Sequence, residues 1–152
     1  MAEPPGDRIL VTGALGQIGT DLVEALRARH GTDAVIATDV REVPEHLLLE
    51  DGPFRLLSVL DGDGMDAVVR EERVGTIYHL AAILSATGEK EPELCQRVNV
   101  GGIVCVLETA RKRGLRVFAP SSIAVFGPDC PSIAPQVTPL SPTTVYGRTK
   151  VT

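Results

Sequence analysis

A predicted strand at residues 8–12, RILVT, leads directly into the glycine-rich segment GALGQIG at residues 13–19. An amphipathic helical pattern opens within this segment and continues to Gly31, which is placed to end the helix. In a strand, turn and helix of this kind, the first glycine permits the tight turn, the second lets a diphosphate approach the backbone, and the third lets the helix pack on the strand. The N–H groups of the helix N-terminus then face the anion. The segment predicts a dinucleotide site; the alternative is a turn that only tightens the connection.

A carboxylate follows at the spacing that this kind of site requires. Asp39 ends the second predicted strand twenty residues after Gly19, where a carboxylate accepts hydrogen bonds from the adenosine ribose hydroxyls. Because Asp39 would repel a 2′-phosphate, NAD is favoured over NADP as the cofactor. Arg41 weakens this preference, since a basic residue two positions on can pair with the phosphate.

Short β-branched runs alternate with amphipathic stretches of helical length, which is typical of an α/β fold with a doubly wound parallel sheet. Strands are predicted at residues 8–12, 35–39, 54–59, 76–80 and 116–119. Helices are predicted between the first two strands, at residues 64–73 and at residues 91–113. Five of the eleven prolines lie in residues 128–142, so this stretch is neither regular helix nor central strand. We interpret it as a rigid loop beside an active site; the alternative is a linker.

Composition excludes several classes of function. The 152 residues carry 15 basic and 20 acidic side chains, a formal charge of −5, and five aromatic residues without tryptophan, so no nucleic-acid partner is expected. Apolar runs are too short to span a membrane, and the N-terminus lacks a signal or transit pattern, so a cytoplasmic location is expected. Cys95, Cys105 and Cys130 lack CxxC spacing, which indicates neither a disulfide framework nor a metal site.

A tyrosine and a lysine near the end of the chain are spaced to share a helix face. Tyr146 is followed four residues later by Lys150. A nearby ammonium stabilises a phenolate, which makes the phenol a usable general base or acid. Ser122 follows the fifth predicted strand, at the end of the sheet where ligands bind, and its hydroxyl can donate to an oxygen that gains negative charge. The alternatives are an exposed helical pair and a turn serine that bonds its own backbone.

These motifs together resemble the extended short-chain dehydrogenase/reductase superfamily. The segments that carry the resemblance are TGALGQIG at 12–19, DVR at 39–41, HLAA at 79–82, Asn99 and YGRTK at 146–150. Within the superfamily, ILSA at 83–86 followed by Gly88-Glu89, PSSIAVFGP at 120–128 and PTTVYG at 142–147 are most similar to the short-chain type L-threonine 3-dehydrogenases. Sugar-nucleotide epimerases usually differ after the fourth strand and carry Tyr where this chain has Phe126.

The resemblance implies a Rossmann fold with strand order 3-2-1-4-5 and a set of site residues. The implied NAD-binding residues are Gly13, Gly16, Gln17, Ile18, Gly19, Asp39, Val40, Arg41, Leu60, Asp61, Leu80, Ala81, Tyr146 and Lys150. The implied catalytic residues are Tyr146, Lys150 and Ser122, and the implied substrate-contacting residues are Ser85, Ser122 and Tyr146. His79 and Asn99 match signature positions but are interpreted as a buried strand histidine and a helix asparagine that fixes backbone.

The chains of family members continue beyond the Tyr and Lys motif for roughly as many residues again. These additional residues form a smaller lobe that closes over the substrate. Residues 1–152 are therefore expected to form a single NAD-binding domain without the C-terminal substrate lobe. The function expected of a full-length parent is NAD-dependent oxidation of L-threonine to 2-amino-3-oxobutanoate. A UDP-sugar epimerase or dehydratase and a non-catalytic NAD-binding remnant are the alternatives, so the small-molecule substrate is an amino acid or a sugar nucleotide.

Two further expectations follow from the missing lobe. The 152-residue chain alone is expected to be inactive, and the short helix carrying Tyr146 and Lys150 is expected to be disordered, because pieces below ~12 residues are marginal without packing partners. Family members are commonly dimeric, so a homodimer is one assembly of a full-length parent, but the sequence leaves the oligomeric state open.

Overall fold

The computed structural model describes residues 6–43 and 46–152. Within them lies a parallel sheet of five strands in the order β3-β2-β1-β4-β5. The strands are β1 Arg8–Thr12, β2 Val35–Asp39, β3 Phe54–Leu56, β4 Val74–His79 and β5 Arg116–Phe118. This order confirms the predicted doubly wound topology, in which the reversal between β1 and β4 is the position where such sheets bind ligands.

Seven α-helices connect the described strands. They are α1 Gln17–His30, α2 Leu47–Glu50, α3 Gly62–Glu71, α4 Ser85–Lys90, α5 Pro92–Gln96, α6 Gly102–Arg113 and α7 Val145–Val151. Short 3₁₀ turns lie at Thr32–Ala34 and Ile123–Val125, and a π-helical turn lies at Arg97–Gly101. None of the described helices combines the length and the apolar character that crossing a bilayer demands.

The central strands β1, β2 and β4 are largely buried because helices cover both faces of the sheet. On one face, Ile9 and Val11 of β1 pack with Val23 and Leu26 of α1 in one apolar cluster. Side chains alternate along a strand, so Thr12 lies on the other face, where its hydroxyl bonds to His79 of β4. There α3 and α6 pack against β4. All five residues of β2 are buried, as expected of a parallel strand with helices on both sides.

The described chain divides into two compact units. The first contains the sheet and consists of the described residues up to Ala81 together with Gly102–Ala119. The second consists of Ala82–Gly101 and Pro120–Thr152, and in it α7 packs against α4, α5 and the 3₁₀ turn Ile123–Val125. Residues 126–144, which include the proline-rich stretch, contain no helix or strand.

Several strand boundaries differ from the prediction for local reasons. β3 ends at Leu56 rather than at residue 59, because the chain turns at Ser58, whose carbonyl accepts from Asp61 N–H at 3.0 Å and whose hydroxyl accepts from Leu60 N–H at 3.2 Å. β4 begins at Val74, two residues early, because Val74 pairs with Arg8. β5 ends one residue early, at Phe118.

The single helix predicted over residues 91–113 is wrong. The structure has α5 and α6 separated by the π-helical turn Arg97–Gly101, which contains the buried Asn99. The beginning of α6 lies close to the end of β4, since a Cβ on Gly102 would be 3.7 Å from His79 Cε1, and it would also be 2.8 Å from Val59 Cγ2. The short helices α2 and α4 were not predicted, because four and six residues are too few for a helical pattern to show.

The expectation that the Tyr146 helix is disordered is also wrong. Thr144 caps α7, and its hydroxyl accepts from Gly147 N–H at 2.9 Å. Gly147 is buried against the Ala124 carbonyl, where a Cβ would overlap with it. The capping bond and this close packing supply the stabilisation that so short a helix lacks by itself.

Candidate functional site

The glycine-rich loop joins β1 to α1 in a conformation that two of its glycines make possible. Gly13 has φ +68°, in the left-handed region that other residues rarely adopt. A Cβ on Gly13 would be 2.7 Å from Ala81 N, and a Cβ on Gly19 would overlap with the Gly13 carbonyl oxygen. The loop therefore lies directly against the end of β4, and α1 lies directly on the loop.

The N-terminus of α1 is open to an anion. Gly16 is its N-cap and supplies no side-chain bond, and the first turn has no acidic residue. The first helical bond runs from Thr20 N–H to Gly16 O at 2.9 Å, so the N–H groups of residues 17–19 precede it and are the orphan donors of the helix. These amides and the helix dipole form the kind of site that binds a diphosphate.

Asp39 lies at the carboxyl end of β2 beside this loop. Its side chain is 5% exposed, and its carboxylate accepts from Leu15 N–H at 3.2 Å. Arg41 donates to the same carboxylate from its backbone N–H and from Nε, each at 3.1 Å. Asp39, the predicted acceptor for the ribose hydroxyls, is thus held against the phosphate-binding loop by a backbone amide of that loop.

The other predicted cofactor residues of the first unit lie at the loop and near the strand ends. Leu80 N–H donates to Thr12 O at 3.1 Å, and Ala81 N–H donates to Thr12 Oγ1 at 3.4 Å. Asp61 caps α3, where its carboxylate accepts from Gly64 N–H at 2.9 Å. Three apolar members of the set are exposed: Ile18, Val40 and Leu60. Exposed apolar side chains at a ligand site are suited to covering an aromatic base.

The second unit brings Tyr146 and Lys150 together on α7. The Lys150 ammonium lies 5.7 Å from the centre of the Tyr146 ring and donates to the Pro120 carbonyl at 3.3 Å. Burial lowers the pKa of Lys150 from its ordinary value, because the charged form loses hydration. The pair shares one helix face, as its spacing predicts, and the aromatic ring interacts favourably with the cation.

Ser122 and Ser85 begin short helical turns in the same unit. Ser122 is the N-cap of the 3₁₀ turn, and its Oγ accepts from Ala124 N–H at 3.2 Å. This is the backbone-bonding serine that the sequence left open as an alternative. Ser85 is the first residue of α4 and is half-buried. α7 packs on the turn that Ser122 caps, which places the Tyr146 helix next to that turn.

Asn99 organises this unit more than the sequence indicates. Its Oδ1 accepts from Ile83 N–H at 2.7 Å, and its Nδ2 donates to Ile83 O and to Thr149 Oγ1, each at 3.0 Å. Thr149 in turn donates to the Tyr146 carbonyl at 2.7 Å. Asn99 therefore holds both the backbone that precedes Ser85 and the helix that carries Tyr146. As interpreted from the sequence, Asn99 fixes backbone, but its bond to Thr149, 50 residues away, has no sequence signal.

The site residues thus fall into two groups that the structure describes separately. Twelve of the predicted cofactor residues, those of the loop and strand ends, belong to the first unit, and Ser85, Ser122, Tyr146 and Lys150 belong to the second.

Cys95 is a buried cysteine in the second unit. Burial raises the pKa of its thiol, and its sulfur lies 3.4 Å from Asn99 Nδ2. It therefore has the character of a buried structural cysteine.

Comparison with known proteins decides the family. The family model described as "NAD dependent epimerase/dehydratase family" matches residues 9–152. The chain belongs to this family. The resemblance to the extended short-chain dehydrogenase/reductase superfamily is thereby confirmed, and so is NAD as the cofactor of the family.

Individual members of the epimerase/dehydratase family give a finer comparison. An uncharacterized epimerase/dehydratase of Staphylococcus saprophyticus is 48% identical over 145 residues, which is 95% of this chain and 45% of that protein. The crystal structure of L-threonine dehydrogenase from Phytophthora infestans is 48% identical with a TM-score of 0.88, over 95% of this chain and 46% of that one. The crystal structure of UDP-glucose 4-epimerase from Thermotoga maritima is 26% identical with a TM-score of 0.83, over 95% of this chain and 48% of that one. The chain spans about half the length of these epimerase/dehydratase family relatives.

The residues of this chain fit the cofactor of the epimerase/dehydratase family. Gly13 and Gly19 let the loop pack directly against Ala81 and α1, the first amides of α1 are orphan donors, and the Asp39 carboxylate keeps acceptor capacity beyond its three bonds. These are the donors that a diphosphate needs and the acceptor that a ribose hydroxyl needs.

Proposed function

We propose that residues 1–152 are the NAD-binding part of an enzyme that oxidises the β-hydroxyl of L-threonine to 2-amino-3-oxobutanoate. The observation that carries the proposed proton-transfer and hydride chemistry is the Tyr146 and Lys150 pair on α7, with the ammonium 5.7 Å from the ring centre. The 48% identity to L-threonine dehydrogenase, against 26% to UDP-glucose 4-epimerase, supports the choice of substrate.

In the proposed mechanism, residues of the first unit hold NAD. Amides at the N-terminus of α1 would bind the diphosphate and Asp39 would bind the adenosine ribose, while Leu60 and Asp61 with Leu80 and Ala81 would complete the pocket. Tyr146 and Lys150 would hold the nicotinamide ribose. NAD, when bound, supplies the hydride acceptor.

Residues of the second unit manage the proton and the substrate oxygen. Tyr146, as phenolate, takes the proton of the threonine hydroxyl, and the Lys150 ammonium favours the phenolate. Ser122 donates a hydrogen bond to the substrate oxygen as the carbonyl forms, and Ser85 contacts the substrate. The proline-rich stretch at 128–142 borders this region in the chain and serves as an active-site loop.

A second candidate has a specific basis in the family description. A UDP-sugar epimerase or dehydratase would use the same tyrosine, lysine and cofactor but return the hydride to the sugar. Net NADH accumulation separates the two, because a dehydrogenase accumulates NADH and an epimerase does not. A chain that only binds the nucleotide is the third candidate, and it would bind NAD without turnover of either substrate.

The experiment has a binding stage and a turnover stage. Calorimetry with NAD on the 152-residue chain tests the dinucleotide site. NADH absorbance after addition of L-threonine or UDP-glucose is then followed with the natural gene product that contains residues 1–152. We expect NADH from threonine only, and no turnover by the 152-residue chain alone, since the relatives are about twice as long.

The tyrosine provides its own control, because the chain contains one other tyrosine, Tyr78, which packs against Phe118 with ring centres 5.6 Å apart. Tyr146→Phe should abolish NADH formation while NAD still binds, and Tyr78→Phe should leave turnover intact. Substantial turnover by Tyr146→Phe would contradict the assigned role.

A further inference from the structure

A side chain of α4 holds the beginning of the helix that carries Tyr146. The Glu89 carboxylate accepts a hydrogen bond from Val145 N–H at 2.6 Å, and Val145 is the first residue of α7. The Thr144 hydroxyl accepts from Gly147 N–H in the same turn. A negative group is favourable at this end of a helix, because it accepts a charge-assisted bond and faces the positive end of the dipole. Glu89 therefore ties α4 to α7.

The place of Tyr146 in α7 makes this bond relevant to the site. Tyr146 directly follows Val145, so it lies in the first turn of a seven-residue helix, where fraying is greatest. Gly88 of α4 is buried beside it, since a Cβ on Gly88 would be 3.9 Å from Tyr146 Cβ and 2.9 Å from Cys95 Sγ. The backbone of α4 thus lies next to the Tyr146 side chain, and Glu89 is the adjoining residue that bonds to α7.

Glu89 and Asn99 hold α7 at opposite ends. Asn99 bonds to both backbone groups of Ile83 and to Thr149, near the end of α7. Glu89 bonds to the beginning of α7. Ser85, the proposed substrate contact, lies between these two attachment points in the chain, as the first residue of α4. The segment that carries Ser85 is therefore fixed to the Tyr146 helix on both sides.

We propose that Glu89 is a positioning residue, which sets the place of Tyr146 relative to a substrate held at Ser85 through its bond to Val145 N–H. The inference rests on the proposed function and adds the residue that aligns its proton acceptor with its substrate. Proton transfer needs close alignment, and a misplacement of about 1 Å costs roughly a hundredfold in rate. Loss of one bond at the beginning of α7 should displace Tyr146 by less, so a fall in kcat of about tenfold is expected.

Four variants of the natural gene product that contains residues 1–152 separate the bond from the charge, with NADH formation from L-threonine as the assay. Glu89→Ala removes both, so kcat and kcat/KM should fall together by about tenfold, as for an interaction required in the transition state. Glu89→Gln keeps an acceptor at the same reach and should retain most of the turnover. Glu89→Asp keeps the charge but withdraws the acceptor by one methylene, so it should resemble Glu89→Ala. Glu93→Ala removes an equal charge from an exposed position of α5 and should leave turnover unchanged.

Two further measurements distinguish positioning from a loss of folding or of cofactor binding. The thermal midpoint of each variant should stay within about 5 °C of the unmodified protein, and its dissociation constant for NAD should change by less than about threefold. On the 152-residue chain, hydrogen exchange followed by NMR should be faster at Val145 N–H in Glu89→Ala than in Glu89→Gln, because only the glutamine retains the acceptor.

The outcomes separate this inference from the proposed function. Full turnover by Glu89→Ala, or a loss in Glu89→Gln as large as in Glu89→Ala, would overturn the inference alone. If Glu89→Ala does not fold, the order of Glu89→Gln above Glu89→Asp decides. A gene product that converts UDP-glucose and not threonine would overturn the proposed function, and the same order of variants in that reaction would still support the role of Glu89. Turnover of neither substrate would overturn both.

Discussion

A methyl group added at Gly19 should destabilise the protein, although alanine is the better helix former. Gly19 lies in the first turn of α1, and its α-carbon faces the Gly13 carbonyl of the preceding loop. A Cβ there would overlap with the Gly13 oxygen and lie 2.8 Å from Ala14 Cα. Both contacts are to backbone, which cannot rotate away as a long side chain can.

The expected magnitude combines two opposing effects. Helix propensity favours alanine over glycine by about 1 kcal/mol, whereas overpacking against fixed atoms costs about 3 kcal/mol. The net loss of unfolding free energy is then about 2 kcal/mol, or roughly thirtyfold in the unfolding equilibrium. This is large enough to measure in a domain with ordinary stability.

Urea denaturation followed by circular dichroism measures the difference, and Gly16→Ala is the matched control. Gly16 has φ −81° and ψ 169°, which any residue adopts, and a Cβ there would be 3.2 Å from the Gly13 oxygen. Gly16→Ala should therefore cost less than about 1 kcal/mol, mostly from a poorer N-cap, while it still weakens NAD binding. A Gly19→Ala chain as stable as the unmodified one would refute the packing argument, because propensity alone predicts stabilisation.

Two further predictions concern polar groups that are hydrogen-bonded to distant parts of the chain. Asn99→Ala should lower the unfolding free energy by about 2–4 kcal/mol, because it leaves both backbone groups of Ile83 without their bonds. Asn99→Asp keeps the acceptor for Ile83 N–H but turns an acceptor-only oxygen toward Ile83 O in a buried position, so it should lose at least as much. Urea denaturation is the measurement, and a loss below about 1 kcal/mol with Asn99→Ala would contradict the prediction. Hydrogen bonds from Arg113 and then Lys112 hold the pKa of Asp66 well below its ordinary value. The ionised carboxylate therefore stabilises the native state at any pH above about 4, the pKa in the unfolded chain. This contribution is lost as the pH falls toward the lower pKa of the folded state. Asp66→Asn should therefore cost about 1 kcal/mol at pH 7, a modest figure because Lys112 is largely exposed, and progressively less below pH 4; an equal cost at pH 7 and pH 3 would contradict the linkage.

The parts of the fold that follow from local chemistry could be predicted closely. β1 and β2 have the predicted bounds, and α1 ends before Gly31, because glycine positions and apolar periodicity determine them. The break in the helix predicted at 91–113 could not be read from the sequence. The π-helical turn is accompanied by bonds from Asn99 to Ile83, sixteen residues away, and no local pattern encodes that partner.

The candidate site, like the fold, could be predicted from the sequence only in part. The glycine loop, Asp39 and the Tyr146 and Lys150 pair were identified from spacing, since loop geometry and helical period fix which side chains are neighbours. The three donors on Asp39 were missed, because two of them are backbone amides and carry no sequence signal. The ordering of α7 was also missed, since it depends on close packing of Gly147 against Ala124.

Ser122 shows why a structural role and a functional role need not compete. The structure confirms the local bond that the sequence left open as an alternative, with Oγ accepting from Ala124 N–H. That bond uses an oxygen lone pair and leaves the hydroxyl hydrogen able to donate. A serine whose oxygen is already fixed by its own backbone needs less reorganisation to donate to a developing oxyanion. The capping bond is therefore an argument for the proposed role of Ser122, because it positions the donor before a substrate arrives.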